Sequence, residues 1–307
     1  MELDRGLCRT DTRCVRPGPI HLLTCPRCGA FAKDRTIGSG SSMGARFWTD
    51  GKGDMPMLPQ RPEVARCQAC GLVHFPKDAT RAGTMTIVEE LGAQSYALRV
   101  TAIRRKSIPL FSLLRLKVGA WSEEALFAAL PVTVATGLTH LQAGSRAEVL
   151  EKMGAEVEYV VTIREGYEGP TPREWIEAPD LAPPGERDLL ATLARGDFAP
   201  NREAVLTLRI KAWQAGNDAR RGADSVAAVA WSNEAAENLE ALVALLSEDD
   251  PDERLMKAEA LRELGRFETC LALLARPLPG KYEIVVRTIR SLAERNVPGV
   301  AELRGSF

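Results

Sequence analysis

Four cysteines in two short pairs are the residues of this chain best suited to chemistry. Cys25 and Cys28 are separated by two residues, as are Cys67 and Cys70, and a glycine follows each pair. Two thiolates at this spacing can reach one ion, and four of them complete the tetrahedral coordination of structural zinc. The sequence therefore predicts a structural Zn²⁺ bound by Cys25, Cys28, Cys67 and Cys70.

Two other uses of paired cysteines fit this sequence less well. A redox Cys-x-x-Cys motif needs a βαβ unit close by, and the sequence around these pairs predicts none. A catalytic zinc keeps one coordination position for water, which four cysteine ligands would fill. Gly29 and Gly71 can adopt the left-handed conformation that turns backbone amides toward the sulfurs. The pattern thus favours a metal that stabilises the fold.

Strand-like segments flank the cysteine pairs, at residues 20–23 before the first and 72–75 after the second. The pattern resembles the broad zinc-ribbon class, which implies a small β-rich zinc domain over residues 18–80 and leaves its function open. His21 and His74 are expected to be strand residues, because the cysteines complete the site. Residues 1–17, which include Cys8 and Cys14, are predicted to be a disordered head.

The insert between the two pairs holds the second candidate site. Residues 36–44 are rich in glycine and serine but lack the Gly-x-x-x-x-Gly-Lys-Ser/Thr pattern of a phosphate-binding loop, so a flexible loop is the expectation. A strand ending in an Asp-Gly turn is predicted next. Its residues could form an aromatic and basic surface for a partner such as single-stranded nucleic acid, or fill the core of a small domain. The candidate partner-binding residues here are Arg46, Phe47, Trp48 and Lys52.

Length and composition indicate a protein of several domains. The chain has 307 residues and a net charge of -1, which argues against bulk electrostatic coating of nucleic acid, although the first part is mildly basic. No apolar run is long enough for a membrane span, and the start lacks a signal-peptide core. We therefore expect a cytoplasmic protein without membrane contact. In a reducing compartment, paired cysteines favour metal over disulfides.

Residues 94–165 carry alternating strand-like and helical patterns. Residues 96–103 alternate as a strand, and 108–116 have apolar residues at helical spacing. Ser122 followed by two glutamates predicts an N-capped second helix. A strand at 131–134, a helix at 143–153 ended by Gly154, and a strand at 155–161 complete a β-α-α-β-α-β order.

This region resembles the C-terminal domain of the bacterial ribosomal stalk protein, a fold shared with the N-degron adaptor of the Clp protease. The similarity is strongest in residues 119–134 and 147–158. In the stalk family, lysines at the start of the second helix help to recruit translational GTPases. Trp121 and Glu124 occupy those positions here, and the adaptor's acidic pocket motif is missing. The resemblance thus implies a small protein-docking domain with a changed contact face, in which Trp121 is either a binding anchor or a core residue.

Residues 166–185 are rich in proline and glycine and predict a linker, with Trp175 pinning it to a neighbour. Residues 186–307 are predicted to form helical hairpins, with turns at Gly216 and Gly265. The stretch 261–271 resembles the turn of a tetratricopeptide repeat, although one copy alone is legible. Such hairpins commonly offer a groove to a partner peptide. Candidate helices cover 186–194, 202–215, 233–246, 252–264, 267–274 and 282–295.

The fold class expected from these patterns is multidomain α+β: a zinc ribbon, a β-α-α-β-α-β domain and an all-α hairpin domain. The three histidines are scattered, and no nucleophile elbow, His-Glu-x-x-His or dinucleotide fingerprint is present. The leading hypothesis is a non-enzymatic cytosolic scaffold or adaptor that binds protein partners, and the stalk resemblance points first to the translation machinery. Alternatives are RNA or DNA binding through residues 18–80, and an enzyme acting through the Gly/Ser insert.

Overall fold

The computed structural model describes residues 15–58, 60–105, 108–119, 122–221 and 231–304. Helices and several small sheets alternate along them, so the protein is mixed α+β, as predicted. The predicted disordered head falls outside this range except for its last three residues, and so do Cys8, Cys14 and Trp121.

The strands are short and pair antiparallel in four small sheets. The sheet orders are β2-β1-β7, β10-β8-β9, β3-β4 and β5-β6 for the strands as numbered next. Strands β1 to β10 are, in chain order, Arg16–Thr24, Phe31–Ser39, Arg46–Phe47, Gly53–Asp54, Ala65–Arg66, Val73–His74, Thr80–Met85, Gln94–Ile103, Val132–Leu138 and Ala155–Ile163.

Helices dominate the second half of the chain. All six helices expected after residue 185 are found, with ends shifted by no more than a turn. Helices α1 to α11 are Ile87–Ala93, Ile108–Val118, Glu123–Ala128, His140–Lys152, Arg173–Glu177, Glu186–Arg195, Arg202–Asp218, Asn233–Leu245, Pro251–Glu263, Phe267–Ala275 and Glu283–Glu294.

Backbone contacts divide the chain into two compact units, each built from two separate stretches. The first unit contains the residues up to Ser39 and Thr80–Asp180, and the second contains Gly40–Ala79 and the residues from Leu181 onward. This division does not decide the domain limits predicted from the sequence, which stay predictions.

In the first unit, β8 to β10 with α2 to α4 follow the predicted β-α-α-β-α-β order. Alternate residues of the central strand β8, Tyr96, Leu98 and Val100, are buried under α2 and α4, because successive side chains of a strand point to opposite faces. Ser122 Oγ accepts a hydrogen bond from the Ala125 amide at 3.1 Å, so the predicted N-cap is present.

The stretch 166–185, predicted to be a linker, contains a helix and part of the core. Ile176 of α5 is buried beside Ile20 and Leu22 of β1. The ring of Trp175 lies so close to Gly83 of β7 that a Cβ there would stand 2.0 Å from it. Trp175 therefore packs this stretch onto the first unit's sheet, where only glycine leaves room.

In the second unit, α6 to α11 pack as successive helical hairpins. Gly265 has φ of +77° and ends α9, as expected for a C-terminal glycine. The predicted turn at Gly216 is wrong, because this residue lies inside α7. A Cβ at Gly216 would meet the carboxylate of Glu186 at 2.4 Å and the Trp231 ring at 3.1 Å. Glycine is present here because its neighbours approach closely, which outweighs its poor helix propensity.

Candidate metal centre

The first cysteine pair forms the turn between β1 and β2. The Cys25 amide donates to the Ala30 carbonyl at 2.9 Å, and the Gly29 amide donates to the Cys25 carbonyl at 3.0 Å. Gly29 has φ of +74°, a conformation that side chains other than glycine adopt at a cost. The turn thereby places both cysteines on the tip of the hairpin.

The second pair forms the turn between β5 and β6 with the same hydrogen bonds. The Cys67 amide donates to the Leu72 carbonyl at 2.8 Å, and the Gly71 amide donates to the Cys67 carbonyl at 2.9 Å. The φ of Gly71, +72°, is close to that of Gly29. The two cysteine turns therefore have the same geometry, and each is held by hydrogen bonds between residues close together in the sequence.

The four cysteines converge on one point. Their sulfur atoms all lie within 4.8 Å of one another. A tetrahedral Zn²⁺ with zinc–sulfur bonds of about 2.3 Å needs sulfurs about 3.8 Å apart, so the cluster has the size of such a site. Four thiolates would leave no position for water or substrate. The arrangement can hold a metal ion, and its donor atoms favour zinc.

One side of the cluster is buried and the other is open. Cys25 and Cys67 are buried, Cys70 is partly covered, and Cys28 is exposed. The guanidinium of Arg66 passes beside the second turn, because a Cβ placed on Gly71 would lie 3.5 Å from its Nη2. Four thiolates around a divalent ion carry a net charge of about -2, which a neighbouring cation partly offsets.

Neither histidine near the cysteine pairs belongs to the cluster. His21 Nδ1 lies 3.2 Å from Thr84 Oγ1. His74 is buried in β6, and its Nδ1 has no hydrogen-bond partner within the described part of the chain. Both occupy strands, as the sequence predicts.

The candidate partner-binding residues of the insert lie on the β3–β4 hairpin. The predicted Asp-Gly turn is present, with Gly51 at φ of +78°. A groove of about 290 Å³ is lined by Arg46, Trp48 and Lys52, together with Gly53, Asp54, Asp218 and Arg221. Phe47 is partly buried and packs against Gly53.

The cations and the ring in this groove already have partners. Arg46 forms an ion pair with Asp54, and Lys52 forms one with Asp218. Trp48 is only 8% exposed. Of the Gly/Ser segment, residues 36–39 belong to β2 instead of a loop. Trp121 lies outside the described residues.

A buried polar network behind this groove was not predicted. Asp50, in the turn after β3, forms an ion pair with Arg221 and accepts a hydrogen bond from Asn217 of α7 at 3.1 Å. Asn217 also donates to Glu263 of α9 at 3.2 Å. The sequence offers little signal, since these residues are up to 213 positions apart and each alone is typical of a solvated surface.

Among the described residues, Asp50 and Glu259 of this network each form an ion pair, whereas Glu263 forms none. Glu259 and Arg262, both fully buried, form an ion pair at 2.6 Å. Burial, with further repulsion from Glu259, raises the pKa of Glu263 well above its ordinary value.

Burial likewise raises the pKa of the Cys270 thiol to about 12, so this cysteine is a protonated core residue, as its apolar helix face predicts.

Comparisons with protein-family models, with curated proteins and with solved structures found no significant match to this chain. The resemblances to the ribosomal stalk domain and to a tetratricopeptide turn therefore stay predictions. No helix in the described ranges combines the length and the apolar character needed to cross a membrane. The four-cysteine cluster is the feature that carries a functional conclusion.

Proposed function

We propose that this protein is a non-enzymatic cytosolic scaffold or adaptor whose four-cysteine centre binds one structural Zn²⁺. The observation that carries the proposal is the convergence of four sulfurs from two turns of matching geometry. A complete set of protein ligands is typical of structural sites, whereas catalytic zinc keeps an open position. Metal binding would then contribute directly to folding free energy.

A role in protein interaction is supported by the kinds of surface present. Helices α6 to α11 form hairpins, an architecture that often presents grooves to peptides. In the first unit, Tyr159 and Val161 of the edge strand β10 are 44% and 47% exposed. Exposed apolar residues on an edge strand are typical of surfaces that bind other proteins. The connection to translation rests on the stalk resemblance alone.

Metal analysis of the purified native chain tests the zinc centre. We expect one zinc per chain, lost on substitution Cys67→Ser and retained on Cys270→Ala, a matched control that removes a buried thiol outside the cluster. Strong chelation should lower the melting temperature of the native chain and leave Cys67→Ser unchanged. Native protein without stoichiometric metal would contradict the proposal.

Affinity capture tests the adaptor role separately. The zinc-loaded chain is used as bait in cytosol, with the chelated chain as its control. Reproducible recovery of a protein partner by the loaded form alone is expected. Failure to recover any partner while zinc is stoichiometric would reject the adaptor role and keep the metal centre.

Nucleic-acid binding is the second candidate function. The observation that favours it is Arg27, an exposed cation at the tip of the first cysteine turn. Binding through phosphates predicts affinity for single-stranded RNA that falls steeply with salt, and a smaller salt slope for Arg27→Ala. Salt-independent or absent binding by the full chain would exclude it.

A further inference from the structure

The second unit contains a small pocket with an arginine in its wall. The pocket has a volume of about 180 Å³ and lies where α6 ends and α7 begins. Its walls are mainly apolar, since Leu193, Phe198, Val205 and Leu208 contribute most of the large side chains. The lining is completed by Thr192, Gly196, Ala199 and Arg209.

Among the described residues, Arg209 lacks the carboxylate partner that two other arginines of this unit, Arg221 and Arg262, have. Arg221 and Arg262 each form an ion pair with a carboxylate. Arg209 has no such partner among the residues that the structure describes, and its Nη1 donates only to the neutral amide oxygen of Asn238, at 3.1 Å. Its Nε is buried and has no hydrogen-bond acceptor in the described ranges.

The missing carboxylate has an energetic consequence. Burial lowers the pKa of the Arg209 guanidinium from its ordinary value, and no acidic group among the described residues opposes that shift. A desolvated guanidinium without a counter-ion is unfavourable, and a carboxylate that approached it would restore charge neutrality and add charge-assisted hydrogen bonds. The neutral hydroxyl of Thr192, the other polar side chain of the lining, is already engaged. It donates to the Asp188 carbonyl and accepts from Arg195.

We propose that this pocket binds a carboxylate attached to a short aliphatic group, with the carboxylate on Arg209 and the aliphatic group between Leu193, Phe198 and Val205. The volume suits one side chain of leucine size. The same chemistry occurs in a free short-chain carboxylic acid and in the C-terminal residue of a peptide. The pocket does not depend on the proposed scaffold function.

Three probes separate the two sources. N-acetyl-leucine carries the carboxylate and the aliphatic group, N-acetyl-leucinamide lacks the charge, and a pentapeptide ending in leucine presents the same group on a longer chain. Calorimetric titration of the full zinc-loaded chain should show binding of N-acetyl-leucine and none of the amide. Binding of the peptide as well would assign the pocket to protein C-termini, and exclusion of the peptide would assign it to small acids.

Variants test the residues that carry the proposal. Arg209→Gln removes the charge but keeps a donor for Asn238, and should weaken N-acetyl-leucine binding about tenfold or more. Ala199→Leu fills the pocket from an exposed position and should abolish binding while Arg209 stays in place. The matched control is Arg266→Gln, an exposed arginine of the same unit paired with Glu240 outside the pocket lining, which should leave affinity unchanged.

Thermal unfolding gives a second readout. N-acetyl-leucine should raise the melting temperature of the wild-type chain and of Arg266→Gln, but not that of Arg209→Gln. Equal binding of acid and amide, or undiminished affinity in a folded Arg209→Gln chain, would overturn the proposal. Absence of any binding by the wild-type chain would overturn it as well.

Discussion

Glu90 in the first unit and Glu263 in the second are buried to nearly the same extent, 1% and 3% exposed, yet their surroundings are opposite. Glu90 accepts hydrogen bonds from Lys33 at 2.6 Å and from Arg35 at 2.7 and 2.8 Å. Burial alone would raise the pKa of Glu90, but the two cations outweigh it and hold the pKa below its ordinary value.

Glu263 receives only neutral donors. Trp213 donates to it at 3.0 Å and Asn217 at 3.2 Å. Arg262 and Arg221 are paired with Glu259 and Asp50, and Arg220 lies over the Trp231 ring. The pKa of Glu263 is therefore raised, whereas that of Glu90 is lowered. The two pKa values diverge because two cations approach Glu90, whereas the burial of Glu263 is reinforced by repulsion from Glu259 and Asp50.

The largest loss of folding stability is expected when the Glu90 carboxylate is removed. Glu90→Gln leaves Lys33 buried with no carboxylate partner at its Nζ, and should destabilise the first unit by about 3–5 kcal/mol. Urea unfolding of the zinc-loaded chain measures this. The control Glu156→Gln removes an exposed partner of Arg104 in the same unit and should cost less than about 1 kcal/mol. Equal losses for the two variants would contradict the comparison.

A second substitution, at Lys33, tests whether the unpaired ammonium causes the instability of Glu90→Gln. Adding Lys33→Met to Glu90→Gln removes the stranded ammonium and should recover about 1–3 kcal/mol, because an apolar residue of similar volume replaces a buried cation. Recovery stays incomplete, since Lys33 also donates to the Ile176 carbonyl at 2.7 Å. A double variant less stable than Glu90→Gln would show that Lys33 stabilises mainly through packing.

Glu263 predicts a pH dependence of folding stability opposite in sign to that of Glu90. Since the pKa of Glu263 is raised in the folded state, its contribution is fully present below the ordinary glutamate value of 4.5 and is lost as pH rises through the folded pKa. One such group gives a slope of about 1.4 kcal/mol per pH unit across that interval.

Glu263→Gln should remove this slope and change stability at pH 5 by no more than about 1 kcal/mol, because glutamine is a neutral isostere. Hydrogen exchange of α7 and α9 amides between pH 5 and pH 8 would report it, with zinc held saturating. By contrast, the lowered pKa of Glu90 predicts stability that is lost as pH falls below 4.5. An unchanged slope in Glu263→Gln would mean that Glu263 is ionised in the fold.

The smallest effect is expected where both partners are exposed. Lys152 and Glu148 of α4 form an i,i+4 pair at 2.7 Å with side chains 73% and 57% exposed. Lys152→Ala should change the free energy of unfolding by no more than about 0.5 kcal/mol, and less at high salt. A loss of stability as large as that of Glu90→Gln would show that burial does not determine how much an ion pair contributes to stability.

The cysteine turns and most helices could be predicted from sequence. Each turn depends on a glycine and on hydrogen bonds between residues at most five positions apart, as at Cys25 and Ala30. The helices after residue 185 follow from apolar residues at helical spacing and from N-caps such as Asn201, Ser232 and Asp250. Conformation at these places is set by neighbouring residues.

Gly216 shows where local patterns fail. Its low helix propensity predicted a turn, but Gly216 lies inside α7, where the Glu186 carboxylate and the Trp231 ring approach it closely. Trp175 and Ile176 likewise order a proline-rich stretch through contacts with β7 and β1, far away in sequence. Packing between distant segments outweighed propensity in both cases.

Residues close together in the chain are enough to set the local geometry of the cysteine turns and the positions of most helices, because these hydrogen bonds and the helical periodicity act between near neighbours. Only the complete fold sets which charges are paired, why the pKa of Glu263 is raised and that of Glu90 lowered, and why Arg209 has no carboxylate partner among the described residues. Asp50 and Arg221 are 171 residues apart, so their pairing appears only when the chain has folded. Electrostatic free energy depends on the solvent and partners around a group, and these come from the whole fold.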